Sequence, residues 1–297
     1  LSEIASEYDI DINIIEEQSI KDALTENTRQ ATKKYNMFGV PVVVVRLKGK
    51  RTEHAFWGID RFPMVNMLLR DGALTSSPKL LLSPASYKPI SSNNSIEFFF
   101  DFASPWSFLG YMRLSEFAPY ADKIIYKPVV LGALFVAAGT KGSPMTRAGP
   151  VKRQYMSMDF QRWFDACGVK VKMNSAFPIR TILPLRVFII DNRTIDCIFK
   201  GCWQSNINIG DKTELRDLLN RNGFDGDKLI KQASTDNIIK QELKDISSFA
   251  ISKGMFGVPS YVVNQDYDRF CWGQDRMYFV KDLCCGWKPP VHKKSNL

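Results

Sequence analysis

Apolar and polar positions alternate along this chain in blocks long enough to predict its elements. Residues 96–102 form an apolar, aromatic run that stops before Ser104-Pro105, the pattern of a buried strand. A helix is expected to start there. Ser is a good N-cap, Pro fits the first helical position, and Phe108, Leu109, Met112 and Leu114 supply the apolar residues. Residues 123–131 read as the next strand. Helical patterns occupy 152–167 and 180–191, and further helical segments fill about 213–254. Residues 260–263 and 269–272 are expected to pair as a hairpin, followed by a last helix over 277–284.

The order β-α-β, helical insertion, β-β-α predicts an α/β chain: a thioredoxin-like fold with an inserted helical subdomain. A repeat then sets the domain organisation. Met37-Phe38-Gly39-Val40-Pro41 recurs as Met255-Phe256-Gly257-Val258-Pro259. Each copy continues into a Val-rich run and a polar turn. Then comes Phe56-Trp57-Gly58-Ile59-Asp60-Arg61 or Cys271-Trp272-Gly273-Gln274-Asp275-Arg276, and a helical pattern closes both. The offset of about 218 residues is too long for a solenoid and fits two whole domains in tandem. Residues 1–70 are therefore expected to be the C-terminal part of a truncated first unit whose front half is missing. Residues 71–94, rich in Ser and Pro, read as a linker, 95–287 as a complete unit, and 288–297 as a basic tail.

Composition narrows the function classes. Hydrophobic residues make up 45% and charged residues 24% of 297, an ordinary globular balance. No stretch of eighteen or more apolar residues occurs, so no membrane span is expected. The net charge of +9 comes with no basic helix interleaved with stacking aromatics and no zinc-finger spacing, so no nucleic acid is expected and the charge reads as solvated surface. The six cysteines form no C-x-x-C pair, and Cys284-Cys285 are adjacent, which suits a reduced, intracellular compartment. His54 and His292 are the only histidines, and both lie outside the complete unit. That argues against a Ser-His-Asp hydrolase, a Cys-His protease or a His-bearing zinc site, and no metal is expected.

Three motifs carry candidate chemistry. Ser104-Pro105-Trp106-Ser107 occupies the strand-to-helix junction where thioredoxin-fold oxidoreductases carry C-x-x-C, and with two serines that pair cannot exchange disulfides. A helix N-terminus there still favours a bound thiolate, and a hydroxyl can donate to its sulfur. The plain alternative is that Ser104 is only an N-cap. Val258-Pro259 is expected to be cis and to face that helix end, leaving the Val258 backbone open to an extended peptide; the alternative is an ordinary turn into a strand. Gln274-Asp275 begins the last helix, where Asp275 caps backbone N–H groups or pairs with a ligand ammonium.

The stretches FDFASPWSFLG, KPVVLGALFVAAGTKGSP, KRQYMSMDFQRW, FPIRTILPLR, GMFGVPSYVV and CWGQDR, spread in order over 96–287, resemble the family of kappa-class glutathione transferases and 2-hydroxychromene-2-carboxylate isomerases, relatives of the DsbA-type oxidoreductases. The resemblance implies that glutathione is the cosubstrate or cofactor and that Ser104 is catalytic, contacting its sulfur. It implies that Val258, before Pro259, pairs with the cysteinyl backbone and that Asp275 with Gln274 holds the γ-glutamyl end. Lys152 and Tyr155 fall on family positions near the ligand mouth, and Thr140 stands in a segment where the family has Asn. Ile59 replaces a polar residue before Asp60 in the first copy. The activity implied is transfer of glutathione to a small electrophile, with an isomerase of the hydroxychromene type as one alternative and a non-catalytic glutathione-binding or assembly protein as another. A homodimer fits the family. Mitochondrial, peroxisomal and cytosolic addresses stay open, the Ser295-Asn296-Leu297 end being a poor relative of the peroxisomal signal.

Overall fold

The computed structural model describes residues 2–9, 11–74, 93–140, 142 and 144–288. Contacts along the chain divide it into two units, Leu1–Ala73 with Ala148–Gln161, and Leu74–Arg147 with Arg162–Leu297. Residues 148–161, expected inside the complete unit, thus group with the first. Most of the expected linker, and the tail beyond 288, lie outside the described residues.

In the first unit, α1 (Ser2–Glu7) and α2 (Gln18–Arg29) precede an antiparallel hairpin, β1 (Val42–Arg46) and β2 (Glu53–Trp57), with Val42 opposite Trp57 and Arg46 opposite Glu53. Helix α3 (Phe62–Asp71) has Pro in its first turn and ends at Gly72, whose φ of 69° is the left-handed stop. It buries Met64, Met67 and Leu68, one face at helical spacing, and Phe56 is fully buried.

The second unit carries the expected fold. Strand β3 (Ser95–Phe100) leads through α4 (Pro105–Met112) to β4 (Lys123–Pro128), which runs parallel to it and so needs that crossover helix. Then come α5 (Leu131–Ala137), α6 (Pro144–Arg147), α7 (Pro150–Ala166), of which residues 150–161 group with the first unit, α8 (Ile182–Ile190), α9 (Ile195–Trp203), α10 (Lys212–Arg221), α11 (Gly226–Thr235) and α12 (Asn237–Ser252). Strands β5 (Ser260–Val263) and β6 (Cys271–Trp272) and helix α13 (Met277–Cys284) complete it. The sheet order is β4-β3-β5-β6, with β5 antiparallel to both neighbours. Ile96, Phe98, Phe99 and Phe100 are fully buried, as a central strand covered on both faces requires. Phe98 stacks on Phe100, and Phe99 packs with Val129, Leu134, Ala250, Met255, Val258 and Val262. In the helical insertion α8 packs on α11 and α12, and α9 on α10.

Local differences from the sequence reading have local causes. The second strand stops at Pro128, which ends the ladder, and Leu131 already opens α5. The helical segments expected over about 213–254 form as three helices, each opened by an aspartate that accepts backbone N–H groups: Asp211, Asp225 and Asp236.

The two copies of the repeat share their backbone geometry. Val40-Pro41 and Val258-Pro259 are both cis. The Gly58 N–H donates to the Pro41 carbonyl at 3.0 Å, and the Gly273 N–H to the Pro259 carbonyl at 2.9 Å. Burial separates them: Val258 is 6% exposed and Val40 85%. Strand β5 is buried throughout between two strands, whereas β1, among the described residues, pairs with β2 alone and buries only Val45.

Candidate functional site

The site begins with a carboxylate at the end of β3. Asp101 is 2% exposed, and its oxygens accept from the Ala103 N–H at 2.9 Å, the Leu131 N–H at 2.8 Å and the Thr181 hydroxyl at 2.6 Å. Burial lifts its carboxyl above the ordinary 3.8, against the pull of those three donors. Asp101 thereby ties the loop 101–104 to the start of α5 and to the insertion.

Ser104 follows as the N-cap of α4, its oxygen accepting from the Ser107 N–H at 3.1 Å. Its hydroxyl donates to the Val258 carbonyl at 3.3 Å. The side chain is nearly buried, at the end of α4 that carries free N–H groups and partial positive charge. Helix α4 can approach β5 closely because position 110 is Gly, where a Cβ would collide with the Tyr261 hydroxyl. Ser107, the second serine of the motif, is fully buried, and its hydroxyl has no partner among the described residues.

From Pro259 the chain reaches the third motif through the Gly273 N–H bond. Gly273 has a φ of 100°, and a side chain there would run into the Asp275 carboxylate, so only glycine fits the turn. Gln274 is buried, and Arg113 donates to its carbonyl at 3.0 Å and to its amide oxygen at 2.7 Å. Arg113, itself buried, is held by Glu116 at 2.8 Å. Asp275 lies in the same turn with the Arg276 guanidinium 3.6 Å away.

The structure thus brings Ser104, Val258 and Pro259 into contact and joins Gln274 to them through one hydrogen bond and one turn. Thr140 turns inward, its hydroxyl donating to the Phe135 carbonyl at 2.8 Å where α5 ends. Lys152 and Tyr155, assigned by resemblance to the ligand mouth of the complete unit, make contacts within the first unit. The Tyr155 oxygen accepts from the Trp57 N–H at 2.7 Å, and the Lys152 ammonium lies 5.5 Å from the Phe38 ring and 5.9 Å from that of Trp57. Sequence reading missed Asp101, Thr181 and Arg113. For Asp101 a signal existed, a lone acid inside the aromatic run Phe98 to Phe102.

All six cysteines are free. Burial pushes the thiols of Cys167, Cys197 and Cys271 up to about 11 and that of Cys284 up to about 12, so none is poised as a thiolate. Among the described residues no group of His, Cys, Asp and Glu could hold a metal ion, and no helix is long and apolar enough to cross a membrane.

Known proteins resemble about two thirds of this chain. A 2-hydroxychromene-2-carboxylate isomerase of Sphingobium xenophagum is 27% identical over 191 residues, covering 63% of this chain and 95% of that protein. Glutathione s-transferase kappa 2 of Caenorhabditis elegans is 23% identical over 219 residues, covering 67% and 96%. A solved 2-hydroxychromene-2-carboxylate isomerase superposes with a TM-score of 0.56 at 23% identity over 64% of this chain and 93% of that one, a likeness of fold. Residues 95–284 match the DSBA-like thioredoxin domain, from the aromatic strand to the last helix, and the chain belongs to that family.

Proposed function

We propose that this protein is a glutathione-dependent enzyme in which Ser104, at the head of α4, holds the glutathione thiolate for attack on an electrophilic carbon of a small apolar or aromatic substrate. The observation that carries the reading is the meeting of the Ser104 hydroxyl with the Val258 carbonyl at a helix N-terminus that has serines where a redox pair would need cysteines. A free thiol with pKa near ~8.5 is mostly protonated at neutral pH, and lowering it by ~2 units takes ~2.7 kcal/mol. A hydrogen bond to the thiolate and the helix end together reach that size. At 3.3 Å the bond to Val258 is long for a hydroxyl donor, so turning the proton to sulfur gives up little. The sulfur then adds to carbon and a C–S bond forms. In isomerisation the adduct rotates and the C–S bond breaks, returning the thiolate; in transfer it persists while a leaving group departs or the carbon takes up a proton. The names of the relatives, isomerases and a kappa-class transferase, support both outcomes, and transfer is the first choice.

In this reading Val258 offers its backbone to the cysteinyl residue and Asp275 its carboxylate to the γ-glutamyl ammonium. Gln274, whose amide oxygen is taken by Arg113, acts by shaping that turn. Thr140, Lys152 and Tyr155 carry less of it, because their described bonds are made elsewhere. Residues 1–70 are read as the C-terminal part of a truncated first copy of the fold, supported by the matching bonds at Pro41 and Pro259.

A non-catalytic glutathione binder is the second reading, favoured by the Ser104 hydroxyl being satisfied within the protein. Titration of glutathione against the full chain, following thiolate absorbance in the ultraviolet across pH, separates the two. The enzyme reading expects a lowered thiol pKa in the wild type and its loss in Ser104→Ala. An unshifted thiol in both proteins hands the lead to the binder, and no binding at all removes both.

A further inference from the structure

Residues Val42–Val45 of β1 follow Pro41 as Ser260–Val263 of β5 follow Pro259. Strand β5 is paired on both edges, with β6 on one and with β3, antiparallel, on the other. Strand β1 has β2 on one edge, and its other edge meets no strand among the described residues. The helices that close the two copies differ in the same way. Counted from the shared Trp-Gly, Phe62, Val65 and Leu69 of α3 match Met277, Val280 and Cys284 of α13. The three on α13 are buried; that helix packs on β5, and its Cys284 carbonyl accepts from Asn94, beside β3, at 3.1 Å. On α3, Phe62 is 52% and Leu69 61% exposed, and Val65 is half-buried. The first unit thus carries an apolar stripe and a strand edge whose counterparts in the second unit are covered.

Edge strands that stay single are guarded by charge, Pro or a bulge, yet β1 presents four successive valines, and its first charge, Arg46, is paired with Glu53 of β2. A two-stranded sheet alone is marginal in water. The sense of pairing points to the occupant. This edge of the repeat takes an antiparallel neighbour, as β5 takes β3, and two copies of one edge related by a two-fold axis meet antiparallel. Charge does not oppose such a meeting: the twelve basic and twelve acidic residues of the first unit cancel, although the whole chain carries +9. We propose that the first unit docks on the first unit of a second copy of this chain, β1 against β1, and that the Phe62, Val65 and Leu69 stripes are covered in that pairing. The resulting sheet, β2-β1-β1-β2, has as many strands as the sheet of the second unit. The inference uses none of the residues assigned to glutathione and holds whether or not glutathione is the cosubstrate.

The test is sedimentation velocity of the full chain across the micromolar range. Wild type is expected to sediment as a dimer. Val44→Lys, which puts a charge on the open edge, and Leu69→Glu, which breaks the stripe, are each expected to weaken the dimer at least about tenfold. Both positions are exposed, and Leu69→Glu decides should Val44→Lys fail to fold by circular dichroism. Ile238→Lys, at an equally exposed apolar position of the second unit, should leave the dimer intact. Amide exchange adds a reading of place: amides of Val42–Arg46 should exchange more slowly as wild-type concentration rises, and at an unchanged rate in Leu69→Glu. A monomer at every concentration, open-ended growth in place of a dimer, or a dimer that survives both first-unit substitutions overturns the proposal.

Discussion

Asp101 is the residue from which the candidate site hangs, and its chemistry predicts how the fold responds to pH. Burial raises its carboxyl above 3.8 in the folded chain, so the folded state holds that proton more tightly than the unfolded one. Its contribution to stability is therefore full below the unfolded value and is lost as pH rises through the raised folded value. Carboxyl carbon titration by NMR should place Asp101 above 3.8, and an apparent value at or below it would contradict the burial argument. Asp101→Ala leaves three donors stranded and is expected to cost about 2–4 kcal/mol in denaturant unfolding. Gly257 makes a second residue-scale case. A Cβ there would sit 2.6 Å from the Trp272 indole nitrogen, just as one at Gly39 would sit 2.8 Å from that of Trp57. The repeated Gly-x-Pro and Trp-Gly are thus two halves of one contact. Gly257→Ala should lower stability by roughly 1–3 kcal/mol through overpacking. Gly132→Ala, in a helix with open space around it, should be neutral or slightly stabilising. Equal effects of the two substitutions would mean that the indole contact has little weight.

At the scale of elements, what was legible depended on whether the signal was local. The aromatic run and the Ser-Pro that ends it encode β3 and α4 within a dozen residues, and both formed where the pattern placed them. The aspartate caps of α10, α11 and α12 are equally present in the sequence, and they mark where the helical segments read over about 213–254 begin. Asp236 accepts from Ile238 and Ile239, so Asp236→Ala should cost about 1 kcal/mol and fray α12 first, which amide exchange at those two residues would register. The pairing of Arg113 with Gln274 was not legible, because its partners lie 161 positions apart and neither sits in a pattern that demands the other. Ser104 and Val258 are almost as far apart, yet each belongs to a motif that marks one end of the same fold. Lys152 and Tyr155 mark the limit of that route. A family position says where a residue stands in the fold, and the surface its side chain meets depends on the rest of the chain, here Phe38 and Trp57 of the first unit.

For the whole molecule the two units differ in what their unfolding would expose. The first buries Phe56, Met64, Met67 and Leu68 and contains no cysteine, whereas all six thiols belong to the second. The thiols are held back twice, by cover and by charge. Cys167, Cys197, Cys202, Cys284 and Cys285 are buried, and a thiol near 11 is ionised on the order of one part in ten thousand at neutral pH. Half-buried Cys271 is the most open, yet its thiol too is raised to about 11. Thiol labelling at neutral pH should therefore be slow at every site in the folded protein and should rise only when the second unit opens. In a denaturant series followed by mass spectrometry, the labels should appear together, in one step that tracks the loss of that unit's structure. Melting of the first unit should pass without labelling. Rapid labelling of a single cysteine in native buffer would identify a thiolate that burial does not suppress. It would also reopen the thiol-exchange chemistry that the serines at 104 and 107 argue against.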